Sequence, residues 1–147
     1  MKNILVAIDF SDHSTEIISR SVEIAKAFKA KIFLVHVADP NPFFIGSELE
    51  PQMFQIQREE ELDRKRNELQ AIAKVVSEKD VEIENQLLMG VPVTSILDKA
   101  EEIAAFMIII GKESHGFFYR TFMGSTSEGV VSRSNCPVLV IPRVDEE

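Results

Sequence analysis

The tightest constraint on what this chain can fold into is a set of apolar runs that do not alternate. The segment Asn3-Ile-Leu-Val-Ala-Ile8 continues without a charge until Asp9. A strand with one wet face alternates, so a run of this kind predicts a strand covered on both faces by helices, as in a parallel sheet. Lys31 to Val37 repeats the pattern through Ile32, Phe33, Leu34 and Val35, and Asp39-Pro-Asn-Pro42 ends it. Phe106-Met-Ile-Ile-Ile110 is the most apolar run, and Pro137-Val-Leu-Val-Ile141 is the last. Val81 to Leu88 differs, since it begins with alternation (Val81 and Ile83 against Glu82 and Glu84) and suits a sheet edge.

Helical spacing fills the gaps. Ser11 or Asp12 offers an N-cap to a helix carrying Ile17, Ile18, Val22, Ala25 and Phe28 through Lys29. A long helix from about Met53 to Glu78 places Leu62, Leu69, Ile72, Ala73 and Val76 on one stripe, and its mixed charges from Arg58 to Arg66 solvate the outer face. Pro92 opens a third helix with Val93, Ile96, Leu97 and Ala100, and Ser125 to Ser132 forms a short fourth. Strand–helix alternation of this kind predicts an α/β fold with right-handed crossovers. With the first and fourth runs central and the third at an edge, the expected architecture is a doubly wound five-stranded parallel sheet of order 3-2-1-4-5, in one domain spanning residues 1–147. Ligands of such sheets bind at the carboxyl ends of strands one and four.

Charge and cysteine content narrow the function classes. With 24 Asp and Glu against 16 Lys and Arg, the formal charge is -8, which opposes binding to nucleic acid. Cys136 is the only cysteine, so no intrachain disulfide forms and the cytoplasm is the expected compartment. Met1 to Phe10 lacks a signal-peptide pattern, and the longest uncharged apolar run, Ala104 to Ile110, is far short of the roughly 20 residues that cross a bilayer. Membrane insertion is not expected.

Two loops stand out. Phe43 to Pro51, with Gly46, is long for this fold, and Phe43 and Phe44 either cover a ligand or tuck against the domain edge. The second runs from Gly111 to Met123, at the switch point. Gly111, Gly116 and Gly124 allow close backbone approach and positive φ, and Gly124-Ser-Thr-Ser127 opens a helix whose amides favour an anion. The same residues also read as an ordinary loop glycine followed by an N-capping serine. Gly111-Lys-Glu-Ser-His-Gly116 has Walker A glycine spacing, but Phe117-Phe118 replaces the Lys and Ser/Thr, and no G-x-G-x-x-G follows strand one. Lys112, His115 and Arg120 add positive charge in or near the loop, or simply meet solvent.

Over its full length the chain resembles the universal stress protein family. The resembling stretches are Lys2-Asn-Ile-Leu-Val-Ala-Ile-Asp-Phe-Ser11, Leu34-Val-His-Val37, Gly90-Val-Pro92 and Cys136-Pro-Val-Leu-Val140. In the loop, Gly111 and Gly124-Ser125 match the family pattern G-2x-G-9x-G-S/T, while its middle glycine falls on Ser114. The resemblance implies an adenine nucleotide alpha hydrolase-like fold and an adenine site at Ala7, Asp9 and Val37. It implies ribose and α-phosphate contacts from Met89, Gly90 and Gly111, and further phosphate contacts from Ser114, Gly124, Ser125, Thr126 and Ser127. Ser114 either crowds the phosphate or donates its hydroxyl to it. The implied ligand is ATP, or AMP or ADP, alone or with a magnesium ion for which Asp9 is the protein ligand. Equally, Asp9 caps the first helix.

Catalytic signatures are weak. His13, His36 and His115 lack an evident partner in the sequence, Cys136 reads as a packed side chain, and no esterase elbow or zinc motif is present. At most weak ATP hydrolysis is expected. Two readings remain: a nucleotide-binding regulatory module acting on an unknown protein partner, or a nucleotide-free dimeric scaffold. Val138-Leu-Val-Ile141 is an apolar edge strand that invites pairing, and the resemblance implies a homodimer through it. The alternative is an edge covered by the tail Arg143 to Glu147.

Overall fold

The computed structural model describes residues 1–38, 51–112 and 124–143. Nine elements follow in order: β1 (Lys2–Ala7), α1 (Ser14–Phe28), β2 (Ala30–Ala38), α2 (Pro51–Ser77), β3 (Ile83–Met89), α3 (Pro92–Glu102), β4 (Met107–Gly111), α4 (Ser125–Arg133) and β5 (Val138–Ile141). The strands form one sheet of order β3-β2-β1-β4-β5, parallel at every pairing. This is the expected order, and the reversal of winding falls between β1 and β4.

The unbroken apolar runs have a direct cause. Ile4, Val6 and Ile8 face one core, shared with Ile17, Val22 and Ala25 of α1 and Leu69 and Val76 of α2. Their neighbours Leu5 and Ala7 face a second core with Ile108, Ile110, Ile96, Ala100 and Val130, under α3 and α4. Every residue of β1 from Ile4 on is therefore buried, as are Ile108, Ile109 and Ile110 of β4. Each large aliphatic side chain so buried contributes roughly 1.5–3 kcal/mol before entropy is counted.

The first helix begins differently from expectation. Neither Ser11 nor Asp12 caps it: α1 starts at Ser14, and His13 holds the cap position with no side-chain cap bond. The Ser11 amide donates instead to Asp9 Oδ1 at 2.9 Å, and the Ser14 amide to the Ser11 carbonyl at 3.0 Å, so a turn occupies the residues that offered a cap. Asp9 thus shapes the lead-in to the helix. The third strand starts at Ile83 rather than Val81, after Asp80 in the left-handed region. Residues 43–50 of the expected loop from Phe43 to Pro51, and the tail beyond Arg143, lie outside the described residues.

At its far end α1 closes on Lys29, which adopts φ 53, ψ 48 and returns its amide to carbonyls of the last turn. Glycine takes this conformation without the clash that a side chain meets. Lys29→Gly is expected to stabilise the protein by about 0.5–1 kcal/mol, read as a rise in the urea midpoint.

Candidate functional site

The carboxyl ends of β1 and β4 part to leave a crevice of about 190 Å³. Its apolar wall comes from Ala7 and Ile8 of the β1 end, Val37 of β2, Ile110 of β4, and Pro92 and Ile96 of α3. Asp9, His36 and Thr126 supply its polar groups. Of the residues nominated from sequence, Ala7, Asp9, Val37 and Thr126 line this cavity together.

The others sit around it. Met89 is exposed at the end of β3, and Gly90 follows with φ 148, its amide bonded to the Ala38 carbonyl at 3.1 Å. The positive φ requires glycine there, and a Cβ would also lie 2.7 Å from Ser95 Oγ, which would have to turn away. Gly124 caps α4 in an extended conformation, with Ser125 exposed beside it. Ser127 is fully buried, and its hydroxyl donates to the Gly111 carbonyl at 2.6 Å, which ties α4 to β4. Ser114, His115, Gly116 and Arg120 lie outside the described residues, and Lys112 is half-buried.

Of the two freedoms that glycine allows, Gly111 and Gly124 do not use positive φ: among the described glycines only Gly90 has it. Gly111 is glycine for space, since a Cβ would stand 2.5 Å from Ile17 Cδ1 and 2.8 Å from His13 Cδ2. His13, buried beneath it, lies 2.9 Å through Nε2 from the Ile141 carbonyl and so joins α1 to β5. Gly129 plays a similar part between helices, where a Cβ would meet Val93 Cγ2 at 2.7 Å. That close approach sets the spacing of α3 and α4, which wall the crevice.

Sequence reasoning gave His36 no role, yet it is central to the local geometry. Its Nδ1 lies 2.7 Å from the Ile8 carbonyl; a carbonyl only accepts, so Nδ1 carries the hydrogen. The Phe10 ring lies against it at 4.7 Å between centroids, and Phe10 holds φ 63, a conformation that costs a non-glycine residue about 1–2 kcal/mol. Burial, the largest influence, pushes the His36 pKa below its ordinary value; the Ile8 carbonyl opposes this, and the Lys65 charge adds to it. For Asp9 partial burial raises the pKa, but hydrogen bonds from Ser11 and the His36 charge together outweigh it, leaving the carboxyl below its ordinary value. The site therefore presents a carboxylate beside a neutral imidazole.

Among the described residues no group of three or more His, Cys, Asp or Glu is placed to hold a metal ion. One carboxylate suits magnesium only where a ligand's phosphates and water supply the rest of the shell. A larger cavity, about 300 Å³, lies between the carboxyl-terminal halves of α3 and α4, against Leu97, Ala100, Arg133 and Cys136. It is lined by none of the nominated residues. No helix among the described residues is long and apolar enough to cross a membrane.

Comparison with known proteins gives this crevice a context. A model described as the universal stress protein family matches residues 1–142. The chain is similar to a universal stress protein of Methanocaldococcus jannaschii, 31% identical over 146 residues, covering 99% of this chain and 85% of the relative. It is also similar to the solved structure of a second such protein from that archaeon, with TM-score 0.79 and 25% identity over 99% of this chain and 98% of the other. The fold matches that of an Archaeoglobus fulgidus universal stress protein solved in complex with dAMP, with TM-score 0.70 and 24% identity, covering 96% of this chain and 98% of that one.

Two outcomes follow from the geometry. Gly111→Ala is expected to cost about 1–3 kcal/mol in denaturant unfolding, because Ile17 and His13 must give way. Stability is also expected to fall in acid. A histidine whose folded pKa is lowered contributes stability above its ordinary value of 6.5, lost as the pH drops through that value toward the folded one. Asp9 contributes above 3.8, and loses it as the pH falls on through its folded value. His36→Asn should therefore flatten the urea midpoint between about pH 7 and 5, whereas an unchanged slope would assign it to another group.

Proposed function

The chain belongs to the universal stress protein family, and from that premise we propose that it binds an adenine nucleotide at the β1–β4 crevice and acts as a homodimeric regulatory module. The observation that carries the reading is the pairing of an apolar slot, formed by Ala7, Val37 and Ile110, with Asp9 at one side and Thr126 of the α4 amino terminus at another. At about 190 Å³ the slot is below the roughly 300–1,000 Å³ of pockets that enclose a drug-sized ligand. It takes a base-sized moiety, and the ribose and phosphates continue past Met89, Gly90 and Gly111 toward Gly124, Ser125 and Thr126.

The first amides of a helix have no partner within it and carry the positive end of its dipole, so α4 offers donors to phosphate. Ser127 serves through its backbone, since its hydroxyl is committed to Gly111. Ser114 is proposed to meet the outer phosphates. ATP is the proposed ligand, with AMP or ADP as alternatives. Asp9 would be the protein's ligand to a magnesium ion bound with the nucleotide, and the ion would neutralise a carboxylate that otherwise repels the phosphate chain. The dAMP complex of the Archaeoglobus relative supports adenine nucleotide as the ligand class. No catalytic residue is assigned.

The regulatory part of the reading is that nucleotide changes the surface offered to a protein partner. Residues 1–147 act as one domain in it, and the unpaired Cys136 suits the reducing cytoplasm. Among the described residues β5 pairs only with β4, leaving Val138, Leu139 and Val140 half-buried at an edge, and this edge is the proposed dimer seam.

Melting the protein with ATP and magnesium tests the ligand. At a hundredfold excess over Kd, native-state binding adds about 2.7 kcal/mol and raises Tm by roughly 5–10 °C. Asp9→Asn is expected to remove the part of that gain that depends on magnesium. A flat response at millimolar ATP leaves the nucleotide-free dimeric scaffold. For the seam, Leu139→Lys is expected to give monomers in sedimentation, and a persistent dimer would locate the interface elsewhere.

A further inference from the structure

Three successive residues, Ile8, Asp9 and Phe10, carry the chain from β1 over the crevice. One side chain on the neighbouring strand holds the outer two. His36 donates Nδ1–H to the Ile8 carbonyl at 2.7 Å, and its ring lies 4.7 Å from that of Phe10. Phe10 stands at φ 63, a conformation from which a side-chain-bearing residue relaxes unless its surroundings over-determine it. Between these two anchors, Asp9 has its carboxylate fastened by the Ser11 amide at 2.9 Å.

We propose that His36 is the positioning residue of the Asp9 turn: its imidazole, fixed on the Ile8 carbonyl and packed against the tilted Phe10 ring, keeps Phe10 left-handed and so holds the Asp9 carboxylate at the crevice. His36 acts through its neighbours and needs no contact with a ligand. The inference rests on the nucleotide reading only for what Asp9 does once it is placed. The turn itself is a property of the free protein, so it has a readout of its own.

That readout is hydrogen exchange at the Ser11 amide, whose acceptor is Asp9 Oδ1. In protein free of nucleotide, His36→Phe keeps a ring but has no donor, and is expected to speed Ser11 exchange about tenfold while the Ile109 amide in the core is unchanged. His36→Asn, which returns an N–H donor, is expected to recover most of the protection. Phe10→Gly leaves the left-handed backbone free of strain but removes the ring, and should also speed Ser11 exchange; it carries the test alone if His36→Phe does not fold. For ATP with magnesium, His36→Phe should weaken binding about five- to tenfold. In a cycle with Asp9→Asn the two losses should not add, because both remove the same placed carboxylate. Ser11 exchange unaltered in His36→Phe, no recovery in His36→Asn, or additive losses would each overturn the proposal. Should the wild-type protein bind no nucleotide, the Ser11 amide decides this inference and only the nucleotide reading falls.

Discussion

The structure depends on the burial of β1 and β4 from both sides. Ile4, Val6 and Ile8 are claimed by one helical layer and Leu5 and Ala7 by the other, and Ile108 and Ile110 complete the second core while Ile109 enters the first. Because the two strands are paired in parallel from Ile4 opposite Met107 to Ala7 opposite Ile110, both end at the same level of the sheet. The helices that follow them leave toward opposite faces, and the gap this opens is the crevice. The site follows from the packing of the most apolar segments in the chain, with its polar groups added at their ends.

Those groups are fixed by a small number of contacts between elements. The Ser127 hydroxyl ties the start of α4 to the last residue of β4, and the absence of a side chain at Gly111 admits His13 and Ile17 beneath it. His13 in turn reaches the Ile141 carbonyl on β5. A chain of contacts therefore runs from the amide-bearing end of α4, through the β4 terminus and the start of α1, to the sheet edge proposed as the dimer seam. The carboxylate on the other side of the crevice is held separately, by Ser11 and by the His36 and Phe10 contact. The two halves of the site thus have independent supports.

Much of this was legible in the residues alone. The strands and their order followed from the apolar runs, since composition reports directly on two-sided burial, and the alternating start of β3 marked it as an edge. Pro92 announced α3 because a ring without an N–H fits a first turn. What could not be read depends on partners distant in sequence. Gly111 looked like a residue chosen for backbone freedom, but His13 and Ile17, about a hundred positions earlier, are what exclude a Cβ there. Ser127, implied as a phosphate contact, has its hydroxyl committed to the carbonyl of Gly111, sixteen positions earlier. His36 carried no local signal, because its role arises from Ile8 and Phe10 in the turn that follows β1.

The contact between Gly129 and Val93 has a wider consequence. Val93 lies in the first turn of α3 and Gly129 at the middle of α4, on the two helices that wall the crevice, and neither is among the groups that line it. Exchanging bulk between these two positions would alter the gauge of the slot with no change in any atom a ligand touches. Related chains that diverged there could come to prefer different guests while every recognisable signature of the site stayed intact.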